Sequence, residues 1–180
     1  MFYLCSIGSN LDPHTHVGAV LGELIEHFGP IRISSVIRTK PVGMHSRHDF
    51  LNCLLVLESQ LDPASLKQTF IALELAHGRD RSLPLSKVSD RPLDIDILAS
   101  SQHGDFASAR VDSYLAELLA ELYGGDDVQA PKVALRLALP RGTGEAGLTP
   151  LTLGARSERG QGAPAIHPDA GTGHVTVPHQ

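Results

Sequence analysis

The segment Arg91-Pro92-Leu93-Asp94-Ile95-Asp96-Ile97-Leu98 limits the possible folds more than any other stretch of the chain. Leu93, Ile95 and Ile97 alternate with Asp94 and Asp96. A period of two marks an extended strand with one apolar and one acidic face. Such a strand needs a sheet to pair with and a core on one side only. Its two carboxylates lie about 7 Å apart at Cα, close enough for their oxygens to converge on a cation. Ionised carboxylates in so apolar a run are costly to bury unpaired. A divalent ion or nearby arginines would remove that cost, and Arg79, Arg81 and Arg91 lie just upstream or at its start. On spacing alone, a half-exposed strand whose polar face carries two incidental acids also fits.

The rest of the first hundred residues supplies the partners for that strand. Phe2 to Ile7 is a short apolar run stopped by Gly8-Ser9-Asn10, which predicts a buried strand and a turn. Asp12-Pro13 is a helix-start signal, and Val17, Val20, Leu21, Leu24, Ile25 and Phe28 follow at helical spacing up to Gly29-Pro30. Ile31 to Thr39 predicts a second strand, with Ile31, Ile33, Ser35 and Ile37 on one face. Phe50 to Ser59 predicts a third, in which Asn52 is a polar side chain that needs a partner. Asp62-Pro63 repeats the helix start, Leu66, Phe70, Leu73 and His77 share a face, and Gly78 ends the helix. The charged stretch from Arg79 to Asp90 reads as a loop delivering the chain into the acidic strand.

This order predicts an α/β (α+β) sandwich with a ferredoxin-like βαββαβ core. The two helices would cover one sheet face, leaving the other free for a site containing Asp94 and Asp96. Beyond Ser100, Ser113 to Tyr123 predicts a helix, and Lys132 to Leu139 alternates as an edge strand would. Residues 1–140 form the expected domain. Residues 141–180, rich in Gly and Pro, are expected to be a largely disordered tail in which Gly147 to Leu153 could still pack.

The formal net charge of −5 argues against a general nucleic-acid binder or a protein of anionic membrane surfaces. With few aromatic residues it also disfavours an RNA-binding version of the same fold. Cys5 and Cys53 sit in apolar runs and read as buried free thiols of a reducing compartment. No leader-like or membrane-spanning apolar run is visible, so a cytoplasmic monomer is the expectation. No G-x-x-x-x-G-K-[ST] segment occurs, which excludes a P-loop kinase. The scattered histidines, His14 and His16 among them, show no metal-ligand spacing and are expected to be incidental.

In order, Gly8-Ser9-Asn10, Arg38-Thr39-Lys40-Pro41-Val42-Gly43, Asp49-Phe50-Leu51-Asn52, Glu74 to Arg81 and Arg91 to Leu98 resemble the signature of the 6-hydroxymethyl-7,8-dihydropterin pyrophosphokinase family of folate biosynthesis. The resemblance implies a ferredoxin-like core and transfer of a diphosphate from ATP to a pterin hydroxymethyl group, with release of AMP. It further implies that Asp94 and Asp96 ligate two Mg²⁺, and that Arg79, Arg81 and Arg91 contact the triphosphate. Asn52 would hydrogen-bond the pterin, Phe50 would wall its ring, and Thr39 and Val42 would line the pocket. Glu74 and Ile97 match positions that help hold ATP, and Tyr114 is the candidate to replace a nucleotide contact not found further along. The chain has no tryptophan, and Val88-Ser89-Asp90 stands where the family usually carries Trp-Gly-Pro. That departure leaves a second reading: a non-catalytic relative that binds nucleotide or pterin in a regulatory or scaffolding role.

Overall fold

Val17, Val20, Leu21, Leu24 and Ile25 form the buried stripe of helix α1 (Pro13–Phe28) in the computed structural model, which describes residues 1–41, 47–80, 82, 90–125 and 127–155. Pro13 stands at its first turn, where a missing N–H costs nothing. Asp12, expected to cap the helix, adopts φ 45° and makes no side-chain cap bond. Its carboxylate instead accepts from the Thr15 hydroxyl at 3.1 Å. Helix α2 (Pro63–Ala76) is capped as expected, with Asp62 accepting from Ser65 N at 2.7 Å. Gly78, at φ 92°, supplies the left-handed residue that ends it.

Strands β1 (Phe2–Ser9), β2 (Ile31–Ile33), β3 (Ile37–Thr39), β4 (Phe50–Glu58) and β5 (Asp94–Ser101) complete the expected core. The main sheet runs β5-β1-β4-β2, with β3 also on β4, and every pair is antiparallel. This is the ferredoxin-like order. Strand β5 starts at Asp94, three residues after the segment begins at Arg91, because Pro92 has no N–H for a ladder.

The predicted second strand is broken in two. Ile33 pairs with Leu55 but Ile37 pairs with Asn52, so one extra residue lies between them. Ser34 fills the gap, donating its N–H to Leu54 O and accepting from Leu54 N through its hydroxyl, both at 2.9 Å. A bulge of one residue turns the following side chains over. Ile31 and Ile33 therefore face one core and Ile37 the other, where a shared face was expected.

Helices α1 and α2 cover the face made by Tyr3, Cys5, Ile7, Leu51, Cys53, Leu55 and Ile95. Fully buried side chains such as Phe70, Leu21 and Leu24 each contribute about 2 kcal/mol by leaving water. At the polar ends of the two helices, His77 Nε2 lies 2.6 Å from Glu23 Oε1 and His77 Nδ1 lies 2.8 Å from His16 Nδ1. His16 is thus part of a helix–helix contact.

The opposite face is not left bare. Helix α3 (Ser113–Leu122) lays Leu115, Leu118, Leu119 and Leu122 on Leu4, Ile37, Leu54 and Val56. The expectation of helices on one face only is corrected to two helices on one and a third on part of the other. The uncovered part, where β1 ends and β5 begins, carries the acids.

The expected boundary at residue 140 falls inside a hairpin. Strands β6 (Leu135–Leu139) and β7 (Gly142–Ala146) pair with one another, and Leu135, Leu137 and Ala146 join the α1 core. Strand β8 (Leu151–Leu153) then pairs with β2 at the sheet edge, burying Leu151 and Leu153. Residues 156–180, the greater part of the expected tail, lie outside the described residues. Among the described residues no helix is long and apolar enough to cross a membrane.

Candidate active site

Gly8 sits between Asp94 on β5 and Asn52 on β4 in the register of the sheet, and Ser6 sits between Asp96 and Leu54. Directly paired residues share a face. The register therefore brings Asp94, Asp96 and Asn52 to one side of the sheet, around a residue with no side chain. A Cβ on Gly8 would lie 2.8 Å from Asn52 Oδ1 and 3.6 Å from the Phe50 ring. The glycine gives Asn52 and Phe50 their room.

Asn10, two residues on, fixes the approach to β5. It is 2% exposed. Its Oδ1 accepts from Arg91 N at 2.7 Å, its Nδ2 donates to Asp90 Oδ1 at 2.9 Å, and its own N–H donates to Arg91 O at 3.0 Å. By composition alone Gly8-Ser9-Asn10 reads as a turn, whereas Gly8 and Ser9 are the last two residues of β1. The segment's structural work is to clear the pocket floor and to hold Arg91 in place.

Arg79 follows α2 and is buried. Its Nη1 donates to Asp94 Oδ1 at 2.6 Å and to Leu93 O at 3.3 Å, and lies 3.6 Å from Glu74 Oε2. Arg91 Nη1 donates to Asp94 Oδ2 at 3.2 Å, and its guanidinium lies 5.8 Å from the Phe50 ring centre. Asp94 is thus gripped from both sides. Burial raises its pKa, but the Arg79 hydrogen bond and the charges of Arg79, Arg91 and Lys67 outweigh that and hold it below the usual carboxylate value. Asp96 goes the other way. Burial and the adjacent Asp94 charge raise its pKa, against a smaller opposing pull from Lys67.

Strand β5 is the last strand of its sheet, so the outward N–H and C=O of Ile95 have no strand partner. Two side chains of α2 take that role. Glu74 Oε2 accepts from Ile95 N at 2.8 Å, and Lys67 Nζ donates to Ile95 O at 3.0 Å. They are seven residues apart, two turns along one helix face. Glu74 is fully buried, so it reaches the site through Arg79. Lys67 continues to Asp96 Oδ1, 3.4 Å away. In the sequence Lys67 is one polar helix position among several, and nothing there marks it.

A cleft of about 430 Å³ opens over this face, lined by Thr39, Phe50, Asn52, Arg91, Asp94 and Tyr114. Lys40 and the Asp112–Ser113 start of α3 complete its wall. Asn52 Nδ2 donates to Thr39 Oγ1 at 2.6 Å. Tyr114 is exposed at the cleft rim, and its phenol pKa is raised by partial desolvation and then by Asp112, Asp94 and Asp96. Ile97 packs on the α1–α2 core, its side chain away from the cleft. Val42 and Arg81 lie outside the described residues. A larger depression of about 560 Å³ beside Met1, Phe28 and Glu58, at the other end of β1, has no arginine in its lining.

The donor set suits a hard divalent cation. Asp94 lies close enough to raise the proton affinity of Asp96, a repulsion that a cation between the two carboxylates relieves. No group of three or more His, Cys, Asp or Glu able to hold a metal occurs among the described residues. Two protein oxygens fit Mg²⁺, which keeps waters and takes phosphate oxygens.

A family model described as 7,8-dihydro-6-hydroxymethylpterin-pyrophosphokinase (HPPK) matches residues 4–142. A 2-amino-4-hydroxy-6-hydroxymethyldihydropteridine pyrophosphokinase of Porphyromonas gingivalis is 35% identical over 109 residues, 59% of this chain and 74% of that protein. A protein of the same name from Haemophilus influenzae is 30% identical over 96 residues, 52% of this chain and 58% of that protein. Gly8 of β1, the acidic strand β5 and the two arginines beside it all fall within the matched span, and the chain belongs to the 7,8-dihydro-6-hydroxymethylpterin-pyrophosphokinase family.

Proposed function

We infer that the chain is a pterin pyrophosphokinase of folate biosynthesis, moving a diphosphate from ATP to the hydroxymethyl oxygen of 6-hydroxymethyl-7,8-dihydropterin. The bond between the α-phosphorus-bound oxygen and the β-phosphorus breaks, AMP leaves with that oxygen, and the hydroxyl gives up its proton. One observation carries the reading: a single cleft joins a phosphate-handling end to a ring-handling end, and Arg91 stands between them, on Asp94 and over Phe50.

At the ring end, a flat pterin meets the Phe50 face, and the Asn52 amide, fixed by Thr39, offers hydrogen bonds to its edge. Thr39 belongs to the same wall, and the motif assigns Val42 to the pterin as well. At the phosphate end, Asp94 and Asp96 would hold two Mg²⁺, which supply charge neutralisation at the phosphate oxygens and acidify the acceptor hydroxyl. Arg79 fixes the Asp94 carboxylate in one orientation. Arg91 brings positive charge to the transferring group, a role the motif also assigns to Arg81, where positioning and charge stabilisation do most of the work. Glu74 and Tyr114 are assigned to the nucleotide side, Glu74 through Arg79, and Ile97, whose side chain faces the core, through its main chain alone.

The test is direct. Purified protein with ATP, Mg²⁺ and the pterin alcohol is expected to release one AMP per pterin consumed. Saturable binding of both substrates without AMP would overturn the catalytic reading.

A further inference from the structure

Lys67 has no role in the chemistry so far described, yet its ammonium touches the more exposed of the two acids. It comes from the opposite side of the sheet: α2 packs on the helix-covered face, and the side chain passes the outer edge of β5. There Nζ donates to Ile95 O at 3.0 Å and ends 3.4 Å from Asp96 Oδ1. The edge carbonyl pins the ammonium. An ordinary surface lysine would wander, and an isolated exposed pair would count for little. Held by a second acceptor, this one stays beside the carboxylate.

The two acids are treated differently by their surroundings. Asp94 has two guanidinium partners and leaves little to be neutralised. Asp96 has Lys67 as its cationic contact among the described residues, and the adjacent Asp94 works against its charge. An ammonium is a compact, strongly hydrated charge on a flexible stem. It can occupy a carboxylate oxygen and then withdraw to solvent, which suits it for a position that a cation must later take. Half of the Asp96 side chain and a third of that of Lys67 are exposed, so such a withdrawal has room.

We propose that Lys67 is the resident counter-ion of Asp96 and a positioning residue that sets how much divalent cation the site needs: its ammonium competes with the metal for Asp96 Oδ1. This rests on the assignment of Asp96 as a metal ligand. The charge is repelled by an arriving dication at a separation of a few ångströms. Across a solvent-screened distance of that size, loss of one charge strengthens cation binding by roughly five- to tenfold.

Three variants test it. Lys67→Met removes the charge and the edge bond. Lys67→Gln removes the charge but keeps an N–H for Ile95 O. Lys67→Arg keeps the charge. Binding of Mn²⁺ in the presence of α,β-methylene-ATP is read from loss of the free-ion electron paramagnetic resonance signal, and half-activating Mg²⁺ from AMP release. Met and Gln are both expected to bind Mn²⁺ about five- to tenfold more tightly and to need correspondingly less Mg²⁺, with Arg close to the wild type. Should Met fail to fold in a thermal melt, Gln still decides the matter. Unchanged or weaker Mn²⁺ binding in Gln would overturn the proposal. Asp96→Asn is the control for the underlying assignment: if it too leaves Mn²⁺ binding unchanged, the metal site itself is misplaced; if it abolishes binding while Gln has no effect, only the role of Lys67 fails.

Discussion

A Cβ built on Gly8 would lie 2.8 Å from Asn52 Oδ1, across the β1–β4 pairing. The contact cannot relax outward, because Asn52 is buried and tied to Thr39 at 2.6 Å. Gly8→Ala is therefore expected to push the Asn52 amide out of place while the strand itself, at ordinary extended geometry, survives. The expected result is at least a tenfold rise in KM for the pterin, a smaller change for ATP, and far-ultraviolet circular dichroism like that of the wild type. Equal effects on both substrates would mean that Gly8 serves the sheet and not the pocket.

The opposite environments of Asp94 and Asp96 separate stability from activity. Replacing Asp94 by Asn takes from the buried Arg79 its 2.6 Å carboxylate and leaves it Glu74 at 3.6 Å, at a cost of about 3 kcal/mol. In a domain of this size that lowers Tm by about 10 °C. Asp96→Asn removes a charge that the fold disfavours, so it is expected to raise Tm slightly in the absence of divalent ions. Neither variant is expected to release AMP, and Asp96→Ala likewise. Calorimetric melts with and without Mg²⁺ check both halves.

The same two groups give the pH dependence its sign. The folded pKa of Asp94 lies below its unfolded value of 3.8, so its contribution is full above 3.8 and is lost as pH falls through the folded value. The folded pKa of Asp96 lies above 3.8, so its ionisation costs stability at neutral pH, and the cost disappears as pH falls toward 3.8. Metal-free protein is therefore expected to gain a little stability on going from neutral pH down through the raised Asp96 value, then to lose stability below 3.8. In Asp96→Asn the first, stabilising limb should vanish. Its persistence would assign it to another group.

Both cysteines lie in the core, and burial pushes the Cys53 thiol up to about 12 and the Cys5 thiol higher still, the latter helped by the charge of Asp96. A thiolate is the reactive form. Native protein is expected to give no reaction with a disulfide reagent at pH 8, and two thiols per chain once unfolded in guanidinium. A fast native reaction at either site would show that the sheet opens there.

How much of this the sequence discloses depends on the length of each pattern. The alternation around Asp94 and Asp96 is long and carries charge, so strand, face and acids are all legible in it. Helices α1 and α2 declare themselves through their stripes and their Asp-Pro starts. The bulge after Ile33 is hidden, because a serine hydroxyl can stand in for a backbone acceptor without altering the hydrophobic pattern. Strand β8 is only Leu-Thr-Leu, too short for periodicity to detect. Of the site, the charged and amide residues are legible once the order of motifs is recognised. The tasks of Asn10 and Lys67 are not, since both depend on which backbone atoms of β5 and its approach lack a partner, and that is a property of the sheet order.

The hairpin of β6 and β7 offers a last test, because it holds to the body of the protein through a close backbone approach. Gly18 and Gly22, one turn apart on α1, face β6. A Cβ on Gly22 would lie 2.1 Å from Ala138 O, and one on Gly18 would lie 2.8 Å from Arg136 O. These are main-chain atoms and cannot swing aside as a side chain would. On an exposed helix the Gly22→Ala change would gain about 1 kcal/mol from helix propensity. Here the clash forces the hairpin off the helix and exposes Leu135, Leu137 and Leu139, which α1 now buries. The expected net loss is about 2–4 kcal/mol, read from urea unfolding, because prising apart a packed interface costs more than the propensity returns. Hydrogen exchange should show lost protection confined to β6 and β7, with the β1–β4–β5 site still protected. A stabilised Gly22→Ala protein would mean that the hairpin already stands clear of α1 in solution.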